Sequence, residues 1–574
     1  MSTLPTHPLR RFVLAACLAL FGASVSARGQ ESTAPAQTAV GHNGMVVAQE
    51  SLAAHIGTDI LRKGGNAVDA AVAVGFALAV TYPRAGNLGG GGFMVIHRAN
   101  GENVTIDYRE TAPQAITNTS FLDAQGHADP DKSRNSALAV GVPGTVDGLA
   151  LAEEKYGSGR FTLAELIAPA IALARDGIAV SDATIDTAPG PLSRLSRWPA
   201  SAQIFLNSDG TPLKLGDRLV QSDLADTLEA IARGGPRAFY ESPVAKKIAG
   251  AVQKAGGVMT ADDLKTYHAT ERTPLSGSYR GYDLITMPPP SSGGVELLEM
   301  LNILEGYDLA HEDAAQELFL LVEAMKRAYA DRAVFLGDPD SVQAPVARLT
   351  SKSYAAIWHA TIDPQHATPA SEIRAGGIVQ PEGRNTTHFS IVDRFGNAVA
   401  NTYTLNFNYG VGLVAEGTGV LLNNELDDFA VKPDAPNAYG LIGFRANEPG
   451  PGKRPLSSMT PTIVLKDGKP FLITGSPGGS RITTAVLQVI VNVLDRGMNV
   501  VDAVAAPRVH NQWLPDQVFV EPGIPDAAVT ALQARGDKVV VQPPFTSANS
   551  IAINPEGFVG AADPRRGGAT AAGY

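Results

Sequence analysis

The sequence predicts an α/β (α+β) sandwich to which both parts of the chain contribute. Residues 150–380 carry apolar side chains mainly at helical spacing, and the pattern changes to that of strands at Thr386. With 574 residues, 44% of them hydrophobic, the chain is long and apolar enough to bury a large core between such layers.

The first part begins with two helices. Ser51 is the expected cap of an amphipathic helix that ends before Gly64 and Gly65. Residues 69–80 are apolar on nearly every side, which indicates a helix inside the core. Further helices are expected at residues 163–175, 219–233, 243–255 and 318–334.

Four consecutive glycines at residues 89–92 separate the buried helix from a strand at residues 94–97. Glycine-rich loops bind phosphates when a strand precedes them and a Gly-Lys-Ser/Thr sequence follows. Neither condition holds here, so the run predicts a close approach of two backbones within the core.

Strands dominate the second part. They are expected at residues 388–392 and 398–405, around a turn, and at residues 461–465 and 470–474, around a second turn at Asp467 and Gly468. Thr386 therefore stands at the start of the first strand of this part.

Composition excludes some classes of partner. The formal net charge is -11, the pI is near 5.5, and no Lys/Arg cluster follows the first residues, so we expect no nucleic-acid partner. His388 has no second ligand at a useful spacing, which makes it a strand residue and not a metal ligand. Small-molecule ligands are expected, with no metal or other cofactor.

Residues 1–27 are typical of an export signal. Two arginines precede an apolar stretch at residues 12–23, which is too short to span a bilayer comfortably, and Ala27 ends a small-residue cleavage site. Cys17, the only cysteine, lies inside this signal, and lipidation there is the alternative. We expect a soluble periplasmic or secreted protein with no membrane attachment after removal of the signal.

Thr386 is the candidate nucleophile. A threonine hydroxyl attacks a carbonyl only when a base removes its proton, and no Ser/His/Asp or Cys/His arrangement elsewhere supplies one. Cleavage between Asn385 and Thr386 would free an α-amino group, whose ordinary pKa of about 7.7 to 8.0 suits a base beside the hydroxyl. Taken alone, the pair Thr386 and Thr387 is also consistent with an ordinary strand, in which threonine pairs are common.

A series of ordered motifs resembles those of the gamma-glutamyltranspeptidases, members of the N-terminal nucleophile hydrolases, from about residue 41 to the end of the chain. The motifs are AGNLGGGGF at 85–93, DYRETAP at 107–113, GVPGTV at 141–146, NTTH at 385–388, NNELDDF at 423–429, KRPLSSMTPTIV at 453–464 and GSPGGSRI at 475–482.

The resemblance implies a four-layer αββα fold and autocatalytic cleavage of the chain before Thr386. The products would be a large fragment, residues 28–385, and a small fragment, residues 386–574, which form a heterodimer. The implied reaction transfers the γ-glutamyl group of glutathione or a related amide, through an ester on Thr386, to water or to an amino-acid or dipeptide acceptor.

Such a donor carries a carboxylate and an ammonium at the end remote from the scissile amide. Arg109 is the candidate for the α-carboxylate because a guanidinium offers paired donors to a planar anion. Glu425 and Asp428 are the candidates for the α-ammonium. The alternatives are a surface ion pair of Arg109 with Glu110 or Asp107, and a solvated acidic loop for the two carboxylates.

The resemblance also implies the remaining catalytic residues. Gly478 and Gly479 would donate backbone N–H groups to the oxyanion of acyl transfer, aided by a helix that opens near Ser480. Thr404 would orient the hydroxyl of Thr386.

The implied substrate-binding residues lie on separate segments. Asn406 is expected on the same strand face as Thr404 and would bind the glutamyl end. Ser457 and Ser458 would hold the α-carboxylate, and Tyr439 lies in a loop that covers the pocket in some relatives.

Two other functions stay open. A glutaryl-type β-lactam acylase or a polyglutamate-handling relative would share the fold and the nucleophile, although a glutaryl group has no ammonium for Glu425 and Asp428 to bind. An exported solute-binding protein would keep an uncut and inactive scaffold.

Overall fold

A computed structural model describes residues 36–373, 386–432, 435–438, 440–544 and 546–574. The predicted signal at residues 1–27, Asn385 and Tyr439 lie outside the described residues. In the described part, no helix is both long and apolar enough to cross a lipid bilayer.

The strands that precede residue 386 are short. They are β1 (Gln37–Gly41), β2 (Gly44–Ala48), β3 (Gly91–His97), β4 (Asn103–Asp107), β5 (Ile178–Ala179), β6 (Arg218–Leu219), β7 (Thr270–Arg272), β8 (Leu275–Tyr279) and β9 (Tyr282–Thr286).

The strands that follow residue 386 include the longest hairpin. They are β10 (Thr387–Asp393), β11 (Ala398–Thr404), β12 (Val414–Ala415), β13 (Val420–Leu421), β14 (Thr462–Lys466), β15 (Lys469–Thr474), β16 (Val509–His510), β17 (Val518–Val520), β18 (Val539–Val541), β19 (Ser550–Asn554), β20 (Gly557–Ala562) and β21 (Thr570–Gly573).

Most of the described helices lie before residue 373. They are α1 (Ser51–Arg62), α2 (Ala67–Thr81), α3 (Pro130–Arg134), α4 (Thr145–Tyr156), α5 (Leu163–Asp176), α6 (Pro189–Ser196), α7 (Pro199–Phe205), α8 (Ser222–Gly234), α9 (Arg237–Tyr240), α10 (Pro243–Lys254), α11 (Ala261–Lys265), α12 (Gly293–Leu304), α13 (Ala314–Phe335), α14 (Val346–Leu349) and α15 (Lys352–His359). The later ones are α16 (Ile482–Leu494), α17 (Val500–Ala505) and α18 (Asp526–Ala534). Short 3₁₀ helices lie at Ala137–Ala139, Glu425–Asp428, Arg445–Asn447 and Gly479–Arg481.

Two seven-stranded antiparallel sheets form the centre of the molecule. The first has the order β21-β2-β10-β11-β3-β4-β7 and the second the order β1-β20-β19-β15-β14-β9-β8. Each sheet contains strands from both sides of residue 386, so the prediction that both parts of the chain build one sandwich is confirmed.

Apolar side chains pack between the sheets and on both outer faces. Val47 and Phe93 of the first sheet meet Ile463 and Ile551 of the second in a shared cluster. Helices α1, α2, α4 and α5 cover the outer face of the first sheet, and α12, α13 and α16 cover that of the second. The result is the expected four-layer αββα sandwich.

Three expectations about secondary structure were wrong. Glu50, not Ser51, caps α1, because its carboxylate accepts hydrogen bonds from the N–H groups of Leu52 and Ala53. Helix α8 begins three residues later than expected, since Leu219 pairs with Ile178 in a short strand. Strands β7, β8 and β9 interrupt the region that was expected to be helical.

The glycine run at residues 89–92 packs against backbone, as predicted. A Cβ atom on Gly89 would lie 2.0 Å from the carbonyl oxygen of Leu421, and one on Gly90 would lie 2.1 Å from that of Thr404. Only glycine permits this approach, which holds the start of β3 against the end of β11.

Candidate active site

Thr386 immediately precedes β10, near the centre of the first sheet. Its neighbour Thr387 pairs with Tyr403 of β11, and Thr386 itself is only 3% exposed. The Thr386 hydroxyl lies 3.4 Å from the Thr404 hydroxyl, and Arg566 donates a hydrogen bond of 3.0 Å to the Thr386 carbonyl oxygen. The backbone pairing and these two contacts fix the position of the candidate nucleophile.

Asn406 was expected on the same strand face as Thr404, but the structure does not place it there. Strand β11 ends at Thr404, and Asn406 adopts a left-handed backbone conformation with φ of 70°. The Asn406 N–H donates to the Thr404 hydroxyl at 2.9 Å, and its side-chain amide donates to the Asn424 carbonyl at 2.9 Å. The turn therefore brings Asn406 back towards Thr404 by a hydrogen bond and not by strand periodicity.

Arg109 is fully buried at the end of β4 and pairs with acidic residues from the second part of the chain. Its guanidinium donates to a carboxylate oxygen of Glu425 and, at 2.6 Å, to one of Asp428. Its Nε donates to the Pro455 carbonyl at 3.0 Å. The surface ion pair considered as an alternative is therefore excluded, because the pair forms in the interior.

The buried environment of this cluster disfavours the ionised form of its carboxyl groups. Burial raises the pKa of Asp428 to about 6, although the positive charge of Arg109 opposes the shift. Burial also raises the pKa of Glu425 and brings that of Glu110, which lies 3.9 Å from Arg109, to about 8. Three carboxyl groups thus surround one guanidinium, so the cluster favours a bound cation when they ionise.

Ser457 and Ser458 face the same space from a segment that is held by backbone contacts. Ser457 N–H donates to the Pro290 carbonyl at 2.9 Å, and the Ser457 hydroxyl accepts from Met459 N–H at 3.1 Å. The Ser458 hydroxyl oxygen is buried and has no hydrogen-bond partner among the described residues.

Gly478 and Gly479 form the turn before α16. Their φ angles are 139° and 55°, both in the left-handed region that favours glycine. Gly479 opens a 3₁₀ helix that continues into α16, and the Ser480 hydroxyl donates to the Gln512 side chain at 2.7 Å. The expected helix near Ser480 is therefore present, with its first turn in 3₁₀ form.

These segments line one pocket that opens to solvent, with about 290 Å³ of empty space. The predicted site residues that line it are Arg109, Thr386, Thr404, Asn406, Glu425, Asp428, Ser457, Ser458 and Gly479. Gly478 precedes Gly479 in the chain but is not among the lining residues. A threonine hydroxyl, a guanidinium, two carboxylates and two serine hydroxyls thus converge on one small space.

Comparison with known proteins bears directly on this arrangement. The family model described as gamma-glutamyltranspeptidase matches residues 53–573. The chain belongs to the gamma-glutamyltranspeptidase family. It is 49% identical to the glutathione hydrolase proenzyme of Escherichia coli (strain K12), over 99% of this chain and 99% of the relative.

Solved structures of N-terminal nucleophile hydrolases share the fold. Cephalosporin acylase from Bacillus halodurans matches with a TM-score of 0.82 at 28% identity, over 96% of this chain and 99% of the acylase chain. A chain of Helicobacter pylori gamma-glutamyltranspeptidase matches with a TM-score of 0.56 at 45% identity, over 59% of this chain and 96% of the other.

Five residues that line the pocket of this family member were not predicted from the sequence. The additional lining residues are Arg332, Leu441, Leu456, Met459 and Ile482. Arg332 lies in the long buried helix α13, where a charged residue in a helical pattern gives no sign of facing a site. Leu456, Met459 and Ile482 lie inside the family motifs and Leu441 lies outside them, but only packing shows that these apolar side chains line the pocket.

His388 is a buried strand residue, as predicted. Its ring nitrogens lie 2.8 Å from the Thr402 hydroxyl and 3.0 Å from the Ser390 hydroxyl, and burial lowers its pKa to about 3. In the described ranges no group of His, Cys, Asp and Glu residues has the arrangement of a metal site.

Replacement of Arg109 by methionine tests the charge balance of the pocket. The variant leaves Glu425 and Asp428 buried without their guanidinium, which we expect to cost about 3 to 5 kcal/mol when both are ionised. Their folded-state pKa values lie above those of the unfolded chain, so the folded state binds more protons and its stability falls as pH rises.

The measurement is the Tm of the Arg109→Met variant and of the unchanged protein at about pH 5 and about pH 8. The deficit should be clearly larger at the higher pH. Arg233→Met, which removes an arginine whose side chain is 75% exposed, is the control and should leave Tm unchanged. An equal deficit at both pH values would mean that the carboxylates do not depend on Arg109.

Proposed function

We propose that this family member is an exported γ-glutamyltransferase and glutathione hydrolase that activates itself by cleavage before Thr386. The observation that supports the proposal most strongly is the pocket in which the Thr386 hydroxyl faces Arg109, Glu425 and Asp428. These groups are complementary to a substrate that joins an amino-acid head group to an amide. The name of the Escherichia coli relative, glutathione hydrolase proenzyme, agrees with it.

Maturation is proposed to begin with attack of the Thr386 hydroxyl oxygen on the carbonyl carbon of Asn385. The C–N bond breaks, the hydroxyl proton passes to the Thr386 nitrogen, and an ester replaces the amide. Water then hydrolyses the ester and leaves fragments 28–385 and 386–574. Because both sheets contain strands from both fragments, the fragments should stay associated as a heterodimer.

Donor recognition follows from charge. Glu425 and Asp428 are proposed to bind the α-ammonium, with Asn406 beside them. Arg109 is proposed to attract the α-carboxylate, with Ser457 and Ser458 as hydrogen-bond donors. Tyr439, outside the described residues, is proposed to cover the pocket.

Catalysis is proposed to use the new α-amino group of Thr386 as the base. It accepts the hydroxyl proton while the oxygen bonds to the γ-carbonyl carbon of the donor, with Thr404 orienting the hydroxyl. N–H groups of Gly478 and Gly479 bind the resulting oxyanion. The amine of the donor leaves with the proton, and water or an acceptor amine then takes the γ-glutamyl group from the ester.

The proposed location of the protein follows from its N-terminal segment. An export signal at residues 1–27 would place the mature heterodimer in the periplasm or outside the cell, where γ-glutamyl compounds and acceptor amino acids or dipeptides would reach it.

Thr386→Ala tests the nucleophile. The variant should remain a single uncut chain on a denaturing gel and should lack activity, because both reactions require the same hydroxyl oxygen. Thr387→Ala, which changes the neighbouring buried threonine, is the matched control and should be cut. Normal cutting of the Thr386 variant would place the nucleophile elsewhere.

A β-lactam acylase is the second candidate, because the chain shares its fold over 96% of its length with a cephalosporin acylase. The carboxylates in the pocket argue for an amino-acid head group, since a glutaryl chain carries no ammonium to compensate the excess of carboxylates around Arg109.

Turnover of γ-glutamyl p-nitroanilide and of glutaryl p-nitroanilide separates the two activities. We expect the γ-glutamyl compound to be preferred, as measured by kcat/KM, because only it carries the ammonium. Preference for the glutaryl compound would reject the proposed function in favour of the acylase.

A further inference from the structure

A second pocket lies next to the turn that carries Gly478 and Gly479. It has about 290 Å³ of empty space, opens to solvent and shares no lining residue with the pocket at Thr386. Its lining comes from the first turn of α16, from β16 and β17, and from the segments that contain Gln542 and Thr546. The proposed reaction gives this second pocket no role.

Guanidinium groups surround this second pocket. Arg508 lines it together with Glu521, and Arg565 stands behind them. Arg565 donates to Glu521 at 2.8 Å and to Asp563 at 3.1 Å, while Arg508 donates to Asp563 at 2.8 Å. The two carboxylates are therefore already engaged by two arginines, and Arg481 brings a third guanidinium to the lining.

Arg508 keeps one donor without an acceptor. Its side chain is in the interior, at 5% exposure, and its two terminal nitrogens donate to Thr546 at 2.6 Å and to Asp563 at 2.8 Å. Its Nε is buried and has no hydrogen-bond partner among the described residues. Burial also lowers the pKa of this guanidinium. Because buried charged donors are normally paired, an unpaired N–H beside a cavity indicates a place for an anion.

The other groups of the lining are neutral. Arg481 donates to the side-chain oxygen of Gln542, and its guanidinium carbon lies 4.8 Å from the centre of the Phe519 ring. His510 contacts the Thr484 hydroxyl at 2.9 Å, and burial lowers the pKa of His510 to about 3, so its ring carries no charge near neutral pH. An anion would give Arg481 a stronger acceptor than the neutral oxygen of Gln542.

Both guanidinium groups are connected to the glycine turn. The Arg481 N–H donates to the Gly478 carbonyl at 3.1 Å. A Cβ atom on Gly478 would lie 2.8 Å from the methyl group of Thr546, and the Thr546 hydroxyl accepts the hydrogen bond from Arg508. A ligand that binds Arg481 and Arg508 would therefore act on the turn from two sides.

We propose that the second pocket binds a small oxyanion between Arg481 and Arg508, and that the bound oxyanion stabilises the turn from Gly478 to Arg481. The ligand class is a phosphate, a sulfate or a carboxylate, because paired guanidinium donors match the geometry of such oxygens. The effect on catalysis rests on the proposed function, in which this turn binds the reaction's oxyanion. Binding itself does not depend on that function.

Isothermal titration calorimetry and Tm of the purified protein test the site. Sodium sulfate, sodium phosphate and sodium acetate are compared at constant ionic strength, set with sodium chloride. At roughly tenfold excess over its Kd, the preferred anion should raise Tm by about 1 to 2 °C. Stronger binding of sulfate or phosphate identifies an inorganic oxyanion, and stronger binding of acetate identifies a carboxylate.

Arg481→Gln removes one of the two proposed donors. The Kd of the preferred anion should rise by at least about tenfold, because a charge-assisted hydrogen bond is lost. Arg233→Gln, which removes an arginine whose side chain is 75% exposed, is the matched control and should leave Kd unchanged.

Gln542→Glu supplies a carboxylate where Arg481 now meets a neutral oxygen. This variant should raise Tm in the absence of added anion and should lose the response to sulfate, because the internal carboxylate occupies the position of the ligand. Gln203→Glu, at an exposed position of α7, is the control and should change neither property. The variant also keeps the site testable if Arg481→Gln does not fold.

Turnover of γ-glutamyl p-nitroanilide measures the effect on the turn. The preferred anion should raise kcat at saturating donor by about fivefold, the lower end of typical coupling between two sites, with little change in KM. An effect on KM alone would instead place the anion in the donor pocket and would reject the second site.

An unchanged Kd in both Arg481→Gln and Gln542→Glu would overturn the assignment, as would an equal response to every salt including chloride. Binding that depends on Arg481 without any change in kcat would support the site and reject its action on the turn. Failure of the unchanged protein to accept the γ-glutamyl donor would reject the proposed function. Calorimetry and Tm would still decide whether the site exists.

Discussion

The pairing of β10 with β2 and β11 is the constraint on which the rest of the structure depends. It holds Thr386 at the start of an interior strand, which pairs with β11 from Thr387 onward and with β2 from Ser390 onward. The same pairing means that a break before Thr386 would leave the sheet intact. A reactive residue could therefore gain a free amino group without losing its position.

The pocket beside Thr386 is built from charges that the interior tolerates only in combination. The contacts with Glu425 and Asp428 compensate the charge of the buried Arg109. In turn, Arg109 stabilises those carboxylates by donating hydrogen bonds to them. Glu296 and Arg332 form a second buried ion pair, and Arg332 lines the same pocket. Both pairs thus contribute ionisable side chains to the lining of one pocket.

The sequence was sufficient for the layers, for the position of Thr386 and for the motif residues that line the pocket. Those features depend on local pattern and on family motifs. The sequence did not predict that Arg332 lines the pocket, because a charged residue in a helix is normally expected to be solvent-exposed. Only packing reveals that α13 is buried. The relation of Asn406 to Thr404 was misjudged because the strand ends at Thr404 and Asn406 adopts a left-handed conformation, so strand periodicity does not apply to it. Strands β7 to β9 were missed because each is only three to five residues long and lies in a region whose apolar residues are mainly at helical spacing.

The most direct test of the account is the N-terminal sequence and intact mass of the lighter polypeptide in freshly purified protein. The account predicts two polypeptides, of which the lighter begins Thr-Thr-His at Thr386 and ends at Tyr574. A single uncut chain, or a lighter polypeptide that begins at any other residue, would contradict the claim that one threonine supplies both the nucleophile and its base.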